Sequence, residues 1–184
     1  MKVLVTGGCG YVGTVLTDDP DLTCRIAGFR PNALVRVVAD SHLRTPLTAR
    51  LVASAAATPT WILARSAGDE LRRSALADLG VEVIGVAGAG EAIGVDLPAA
   101  LHALAERGLT RLLVEGGGQL AASLLRADLV DRIAWFHAPA VMGGDGWPAA
   151  RAFGVETLAA MPRFVRESAV PLGDDMLTEL RRAA

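Results

Sequence analysis

The chain has 184 residues, of which 52% are hydrophobic and 21% charged, which is enough apolar material for one packed domain. This composition excludes a disordered, collagen-like or low-complexity protein. The formal net charge of −2 and the aromatic content of 4% disfavour nucleic acid or an anionic membrane as partner. We expect a soluble, cytoplasmic protein, because no apolar run approaches the roughly 20 residues of a membrane span and the N-terminus lacks the apolar region of a signal peptide.

Short apolar runs alternate with helical stretches along most of the chain, which predicts parallel strands joined by crossover helices. The predicted strands are residues 3–6, 35–38, 61–64, 81–86, 111–114 and 132–136. Each is mostly apolar throughout, as expected for a strand that is covered on both faces. Helices are predicted over residues 69–79, from an N-capping Asp96 to just before Gly108, and over residues 119–126.

The C-terminal part has a different pattern. Residues 163–170 alternate between apolar and polar side chains, residues 172–175 are typical of a turn, and residues 176–180 suit a final strand. Two strands joined by a short turn form a hairpin. The sequence therefore predicts an α/β fold with a largely parallel central sheet and an antiparallel C-terminal edge.

The N-terminus carries a glycine pattern similar to the dinucleotide fingerprint of short-chain dehydrogenases. The strand at residues 3–6 is followed by glycines at every third position over residues 7–13. A working Rossmann site also needs a long helix here and an acidic residue at the end of the next strand, and we identify neither, because Pro20 interrupts the helix. The catalytic Tyr-x-x-x-Lys is excluded, since Tyr11 and Lys2 are the only tyrosine and lysine. A plain strand and glycine turn is the favoured interpretation.

A second glycine cluster lies in the middle of the chain. The apolar strand at residues 111–114 is followed by Glu115, three glycines and a predicted helix. Free N–H groups at a helix N-terminus form an anion cradle, so a phosphate site is one interpretation and a tight strand–helix turn is the other. Glu115 is expected at the carboxyl end of a parallel strand, the edge where open α/β sheets bind ligands.

Two further segments combine charges with a strand or a turn. Residues 13–25 carry Asp18 and its neighbouring aspartate before a proline, which suits a solvated acidic turn. Residues 35–47 contain a strand followed by Ser41 and Arg44. A hydroxyl and a guanidinium just beyond a strand end suit a phosphate group, and a polar loop is the alternative.

Taken in order, these segments resemble the reductase domain of the bifunctional riboflavin biosynthesis deaminase–reductase. The matching motifs are GTVLTDDPDLTCR at residues 13–25, VRVVADSHLRTP at 35–46, VEGGGQL at 114–120 and DRIAWFHAPAVMG at 131–143. The turn at residues 172–175 also fits this family, and the resemblance continues in register from Gly13 to about Leu180. It implies a dihydrofolate-reductase-like three-layer fold.

The resemblance also implies a reaction, namely NADPH-dependent reduction of 5-amino-6-(5-phosphoribosylamino)uracil to the ribitylamino compound. By matching position, NADPH would contact three separate residues and the segment 117–123. The residues concerned are Thr14, Asp18 and Ser41, and within the segment Gly117, Gly118, Gln119 and Leu120. Arg44 would join Ser41 at the 2′-phosphate. Leu22, Arg25 and Glu115 would contact the substrate. Arg25 suits the ribose phosphate, and Glu115 would hold the sugar or move a proton to the imine nitrogen.

Two features depart from the family pattern. The zinc deaminase motifs H-x-E and P-C-x-x-C are missing from the sequence, so we expect no metal and no deaminase activity. The family's first strand, with its lysine and S-L-D-G turn, and the helix after it have no counterpart, and a glycine-rich segment at residues 1–12 stands in their place. We therefore expect a single reductase domain over residues 1–184, with impaired turnover.

Two other functions stay open on the sequence. One is a non-catalytic nucleotide-binding or assembly module with the same fold. The other is a short-chain-dehydrogenase-like NAD(P) protein, which the missing Tyr/Lys pair disfavours. For the reductase hypothesis, the expected small-molecule partner is a phosphorylated pyrimidine. A second copy of the chain is also expected, since exposed sheet edges are usually covered or paired.

Overall fold

The structure is a computed structural model that describes residues 3–6, 18–23, 34–67, 69–88, 94–115, 117–141, 146 and 148–183. The helices and strands, in chain order, are β1 (Val3–Thr6), β2 (Val35–Ala39), α1 (Arg50–Ala53), β3 (Thr60–Arg65), α2 (Glu70–Asp78), β4 (Val81–Val86), α3 (Leu97–Glu106), β5 (Leu112–Val114), α4 (Gly118–Arg126), β6 (Arg132–His137), a 3₁₀ turn (Leu158–Ala160), β7 (Phe164–Leu172) and β8 (Asp175–Arg182). The chain divides into two compact units, Met1–Ala121 and Ala122–Ala184. A single functional domain over the whole chain stays a prediction.

The first unit is built on a parallel sheet of five strands in the order β4–β3–β2–β1–β5. The chain adds β2, β3 and β4 on one side of β1 and then crosses over to add β5 on the other side. This reversal puts the topological switch point between β1 and β5, the last two strands at one side of the sheet. Ligands of open α/β sheets bind in the crevice outside the carboxyl ends of the strands at such a point.

Local sequence signals explain where these elements begin and end. The side chains of Asp69 and Asp96 each accept a hydrogen bond from the backbone N–H three residues later, at 3.0 and 2.8 Å, so both cap the helices that follow them. Gly80 has a φ of +85° just after α2, a conformation that suits glycine at a helix end. The predicted bounds of β1 and β4 are confirmed without change.

The core of the first unit lies between the sheet and the helices α1 and α2. Every residue of β2 is buried, as expected for a strand covered on both faces. The buried cluster combines side chains from β2, β3, β4 and both helices: Val38, Leu43, Ala49, Leu51, Val52, Ala55, Ile62, Ala64, Leu76 and Val81. Its burial holds the carboxyl end of β2 at a defined position.

The second unit contains an antiparallel sheet in the order β6–β8–β7. The predicted hairpin is confirmed, but its strands form a sheet of their own with β6 and are not an edge of the parallel sheet. The expectation that β6 is covered on both faces is wrong, because Trp135 and Phe136 are 41% and 62% exposed. Consecutive residues of a strand point to opposite faces, so each face of β6, an outer strand of this small sheet, carries an exposed apolar side chain.

Candidate active site

The switch point of the parallel sheet carries Glu115 and the second glycine cluster. Val5 of β1 pairs with Val114 of β5 and with Val37 of β2, so Glu115 follows β5 directly at the carboxyl edge. The Glu115 side chain is exposed. Gly117 has a φ of +81°, and α4 begins at the next residue. An exposed carboxylate therefore stands beside a glycine turn and a helix N-terminus, where N–H groups can receive a phosphate.

A second polar loop, residues 40–45, leaves the carboxyl end of β2. Its first residue, Asp40, is fully buried, and its Oδ2 accepts hydrogen bonds from the backbone N–H and the hydroxyl of Thr45 at 2.7 and 2.8 Å. The expectation that no acidic residue ends the strand next to β1 is wrong, since Asp40 directly follows β2. In this structure, however, the Asp40 carboxylate closes a loop.

This loop of residues 40–45, called the Asp40 loop below, carries both residues that the sequence predicts to bind a 2′-phosphate. Ser41 is 6% exposed, and its hydroxyl has no hydrogen-bond partner among the residues that the structure describes. The Arg44 side chain is exposed. Because β1 lies between β2 and β5, the loop and Glu115 stand two strand spacings apart along the same edge, about 10 Å. Buried polar groups normally find partners, so the unpartnered hydroxyl suits a ligand at this edge.

The segment with Asp18 and Leu22 is fixed elsewhere in the first unit. The Arg50 backbone N–H, at the start of α1, donates to Asp19 Oδ1 at 2.9 Å, and Leu22 is buried. The Asp21 carbonyl accepts a hydrogen bond of 3.1 Å from Arg36, the second residue of β2. Arg36 lies four strand residues before Asp40, about 13 Å along β2. These contacts tie the segment to the amino half of β2.

Arg36 is the residue of this region that sequence reasoning missed. It is fully buried, although an arginine within an apolar strand is usually solvated. Burial lowers the pKa of its guanidinium, and the Asp21 charge raises that pKa to a smaller extent. The guanidinium donates to three backbone carbonyls and two hydroxyls, which are Asp21 O, Leu51 O, Thr58 O, Ser54 Oγ and Thr60 Oγ1. It joins the 18–22 segment to α1 and β3.

The predicted site residues thus fall into two groups. Ser41, Arg44, Glu115 and the start of α4 with Gly117, Gly118, Gln119 and Leu120 lie at or beside the carboxyl edge. Asp18 and Leu22 lie on the segment beside the amino half of β2. Thr14 and Arg25 lie outside the described residues. The roles assigned to all of them stay predictions.

The described residues contain neither a metal-binding cluster nor a membrane-spanning helix. Within the described ranges, no three His, Cys, Asp or Glu side chains come close enough together to hold a metal ion. No helix in the part of the chain that the structure describes has the length and apolar character needed to cross a membrane.

Comparison with known proteins decides the family. Residues 2–178 match the RibD C-terminal domain, so the match includes the glycine-rich N-terminus. The chain belongs to the RibD C-terminal domain family. The resemblance drawn from the motifs is confirmed.

The relatives of this RibD C-terminal domain include curated proteins and a solved structure. The chain is 36% identical over 135 residues to the riboflavin biosynthesis protein RibD of Bacillus amyloliquefaciens, covering 72% of this chain and 34% of the relative. It is 41% identical over 146 residues to the 2,5-diamino-6-ribosylamino-4(3H)-pyrimidinone 5′-phosphate reductase of Archaeoglobus fulgidus, covering 74% and 63%. The chain thus spans about a third of the first relative and under two thirds of the second.

RibD of Acinetobacter baumannii superimposes with a TM-score of 0.71 at 23% identity, covering 99% of this chain and 46% of that one. This likeness confirms the predicted α/β class and the dihydrofolate-reductase-like fold.

Proposed function

We propose that this RibD C-terminal domain is an oxidoreductase that reduces a phosphorylated ribosylamino-pyrimidine in riboflavin biosynthesis, with NADPH as the electron donor. Membership of the family and the likeness to a named pyrimidinone phosphate reductase support the reaction class. The observation that carries the proposal is the carboxyl edge. There, Glu115 and the glycine turn stand at the switch point, and Ser41 and Arg44 stand beyond the neighbouring β2.

The residues at this edge fit a dinucleotide. The Ser41 hydroxyl is buried and has no partner within the described part of the chain, so it is available to a ligand oxygen. Arg44 adds a guanidinium, which pairs with phosphate through charge-assisted hydrogen bonds. Gly117 and Gly118, at the start of α4, would let a phosphate of the cofactor approach the backbone N–H groups of the helix N-terminus. A bound NADPH would supply the hydride.

The chemistry requires the open-chain imine form of the ribosylamine. Reduction adds hydride to the sugar C1 and a proton to the attached nitrogen, and the C=N double bond becomes a C–N single bond. Glu115 would hold the sugar or deliver that proton, because its exposed carboxyl follows β5 at the switch point. The protein thereby orients the two reactants and controls one proton.

We also propose that the domain acts as a homodimer. Among the described strands, β6 and β7 are the outer strands of the antiparallel sheet. Phe136 and Trp135 on β6, and Val170 and Leu172 on β7, are exposed apolar side chains. Phe136 and Val170 both align with Leu177 of β8 and so share one face of the sheet, and an exposed apolar patch commonly marks an interaction site. Cytoplasmic location stays a prediction.

The test is an NADPH-oxidation assay with identification of the product. Two substrates are compared, the aminouracil phosphate and the diamino-pyrimidinone phosphate that carries the name of the archaeal relative. Formation of a ribitylamino product from either one supports the reductase. The matched pair of variants is Glu115→Gln and Glu82→Gln, because Glu82 is a surface carboxylate paired with Arg107 at 2.9 Å. If NADPH binds but neither substrate is reduced, the non-catalytic module replaces the proposal.

A further inference from the structure

The Asp40 loop holds a backbone conformation that needs support. Leu43 has a φ of +53° and is 2% exposed, and its backbone N–H donates to the Asp40 carbonyl at 3.2 Å. Residues with a side chain rarely adopt this left-handed conformation, and they keep it only where their surroundings enforce it. Asp40 closes the loop through Thr45, as described above. Ser41 and Arg44 lie between these fixed points.

A residue from outside the loop supplies further support. Arg72, in the first turn of α2, donates from Nε to the Leu43 carbonyl and from its terminal nitrogen to the Thr45 carbonyl at 2.6 Å. The guanidinium is planar and rigid, so two donors from one side chain fix two carbonyls relative to each other. The two carbonyls flank Arg44. Arg72 therefore defines the backbone on both sides of the residue that is predicted to bind the 2′-phosphate.

The hydroxyl of Ser41 links this arrangement to a ligand. It is buried at the start of the same loop with no partner in the described ranges, while Arg72 donates to the loop carbonyls. We propose that Arg72 is a positioning residue that holds the Asp40 loop in the conformation that discriminates NADPH from NADH. The inference rests on the proposed function. Arg72 acts through Ser41 and Arg44, and nothing requires it to touch the cofactor.

The consequence is selective for one cofactor. Only NADPH carries the 2′-phosphate that Ser41 and Arg44 are expected to bind, so a loosened loop weakens NADPH more than NADH. A general loss of packing would weaken both cofactors alike. The ratio of the two dissociation constants thus separates positioning from mere structural support.

The experiment measures dissociation constants of both cofactors for wild type, Arg72→Met and Arg72→Lys. We expect Arg72→Met to raise the NADPH constant about tenfold and to leave the NADH constant nearly unchanged. Lysine keeps the charge but offers no planar pair of donors. The NADPH dissociation constant of Arg72→Lys should therefore lie between those of wild type and Arg72→Met. The control is Arg107→Met. Arg107 is a surface arginine that follows α3 and pairs with Glu82. This variant should match wild type.

A second variant keeps the test decisive if Arg72→Met does not fold. Thr45→Val removes the hydroxyl donor to Asp40 and keeps the backbone donor, so a smaller rise in the NADPH constant is expected. If the ratio of the NADPH and NADH dissociation constants is the same in the folded variants as in wild type, the inference is overturned while the proposed function stands. A wild-type protein that binds NADPH and NADH equally also overturns it. Failure of wild type to bind either cofactor overturns the proposed function as well.

Discussion

Replacing Arg36 by methionine should destabilise the first unit strongly. The change removes a fully buried guanidinium and leaves acceptors from three segments without their donor: Asp21 O, Leu51 O, Thr58 O, Ser54 Oγ and Thr60 Oγ1. Methionine has a similar length and can fill much of the space, but it donates no hydrogen bond. The expected cost therefore comes from unsatisfied polar groups more than from a cavity.

The magnitude follows from the burial of these acceptors. Leaving one buried polar group without a partner costs about 1–3 kcal/mol. The two hydroxyls can reorient, since Thr60 Oγ1 also lies 3.2 Å from Leu51 O and Ser54 Oγ donates to Arg50 O at 2.7 Å. The Thr60 hydroxyl can donate to Leu51 O or to Thr58 O, so the Asp21 carbonyl and one of these two remain unpaired. We expect a loss of about 2–6 kcal/mol in the free energy of unfolding, the cost of two carbonyls left without a donor.

Amide hydrogen exchange of peptides spanning β2 and β3 is a suitable assay, because it reports the first unit separately from the second. Arg107→Met is the matched control. It removes a surface arginine paired with Glu82, for which a change under about 1 kcal/mol is expected. If the amides of β2 exchange as slowly in Arg36→Met as in the control, the carbonyls have found other donors. The argument from orphaned acceptors would then be wrong.

The remaining predictions concern the proposed reaction and assembly. Titration should show that NADPH binds more tightly than NADH, because charge-assisted hydrogen bonds to Ser41 and Arg44 contribute about 1.5–3 kcal/mol. Equal dissociation constants for the two cofactors would contradict this. Gly117→Val should abolish cofactor binding in a folded protein, because a β-branched residue cannot take the φ of +81°; normal NADPH binding would exclude this turn as the cradle. Glu115→Gln should lower turnover about 10²–10⁴-fold with little change in NADPH affinity, whereas unaltered turnover would remove Glu115 from the proton transfer. Sedimentation should give the mass of a dimer that dissociates on dilution, and a concentration-independent monomer would refute it.

Local signals in the sequence were sufficient to predict the five strands, the helices α2, α3 and α4, and the family, but they did not predict α1. Apolar runs identified the strands, and Asp69 and Asp96 marked the helix starts, because these signals act over three or four neighbouring residues. The ordered motifs identified the RibD C-terminal domain for a different reason: their residues and order match those of the family. The hairpin at the C-terminus followed from its own turn. All of these features depend on local sequence, which the printed chain contains in full.

Which distant residues meet is set only when the chain folds. Folding buries Arg36 within β2 against Asp21, ties Asp19 to the start of α1, and brings Arg72 to the loop that Asp40 closes. Each of these contacts joins residues 15 to 31 positions apart. The strand order, with β1 between β2 and β5, also arose only on folding. Contacts of this kind depend on how the elements pack, because a long charged side chain is buried only where the fold supplies enough acceptors for it.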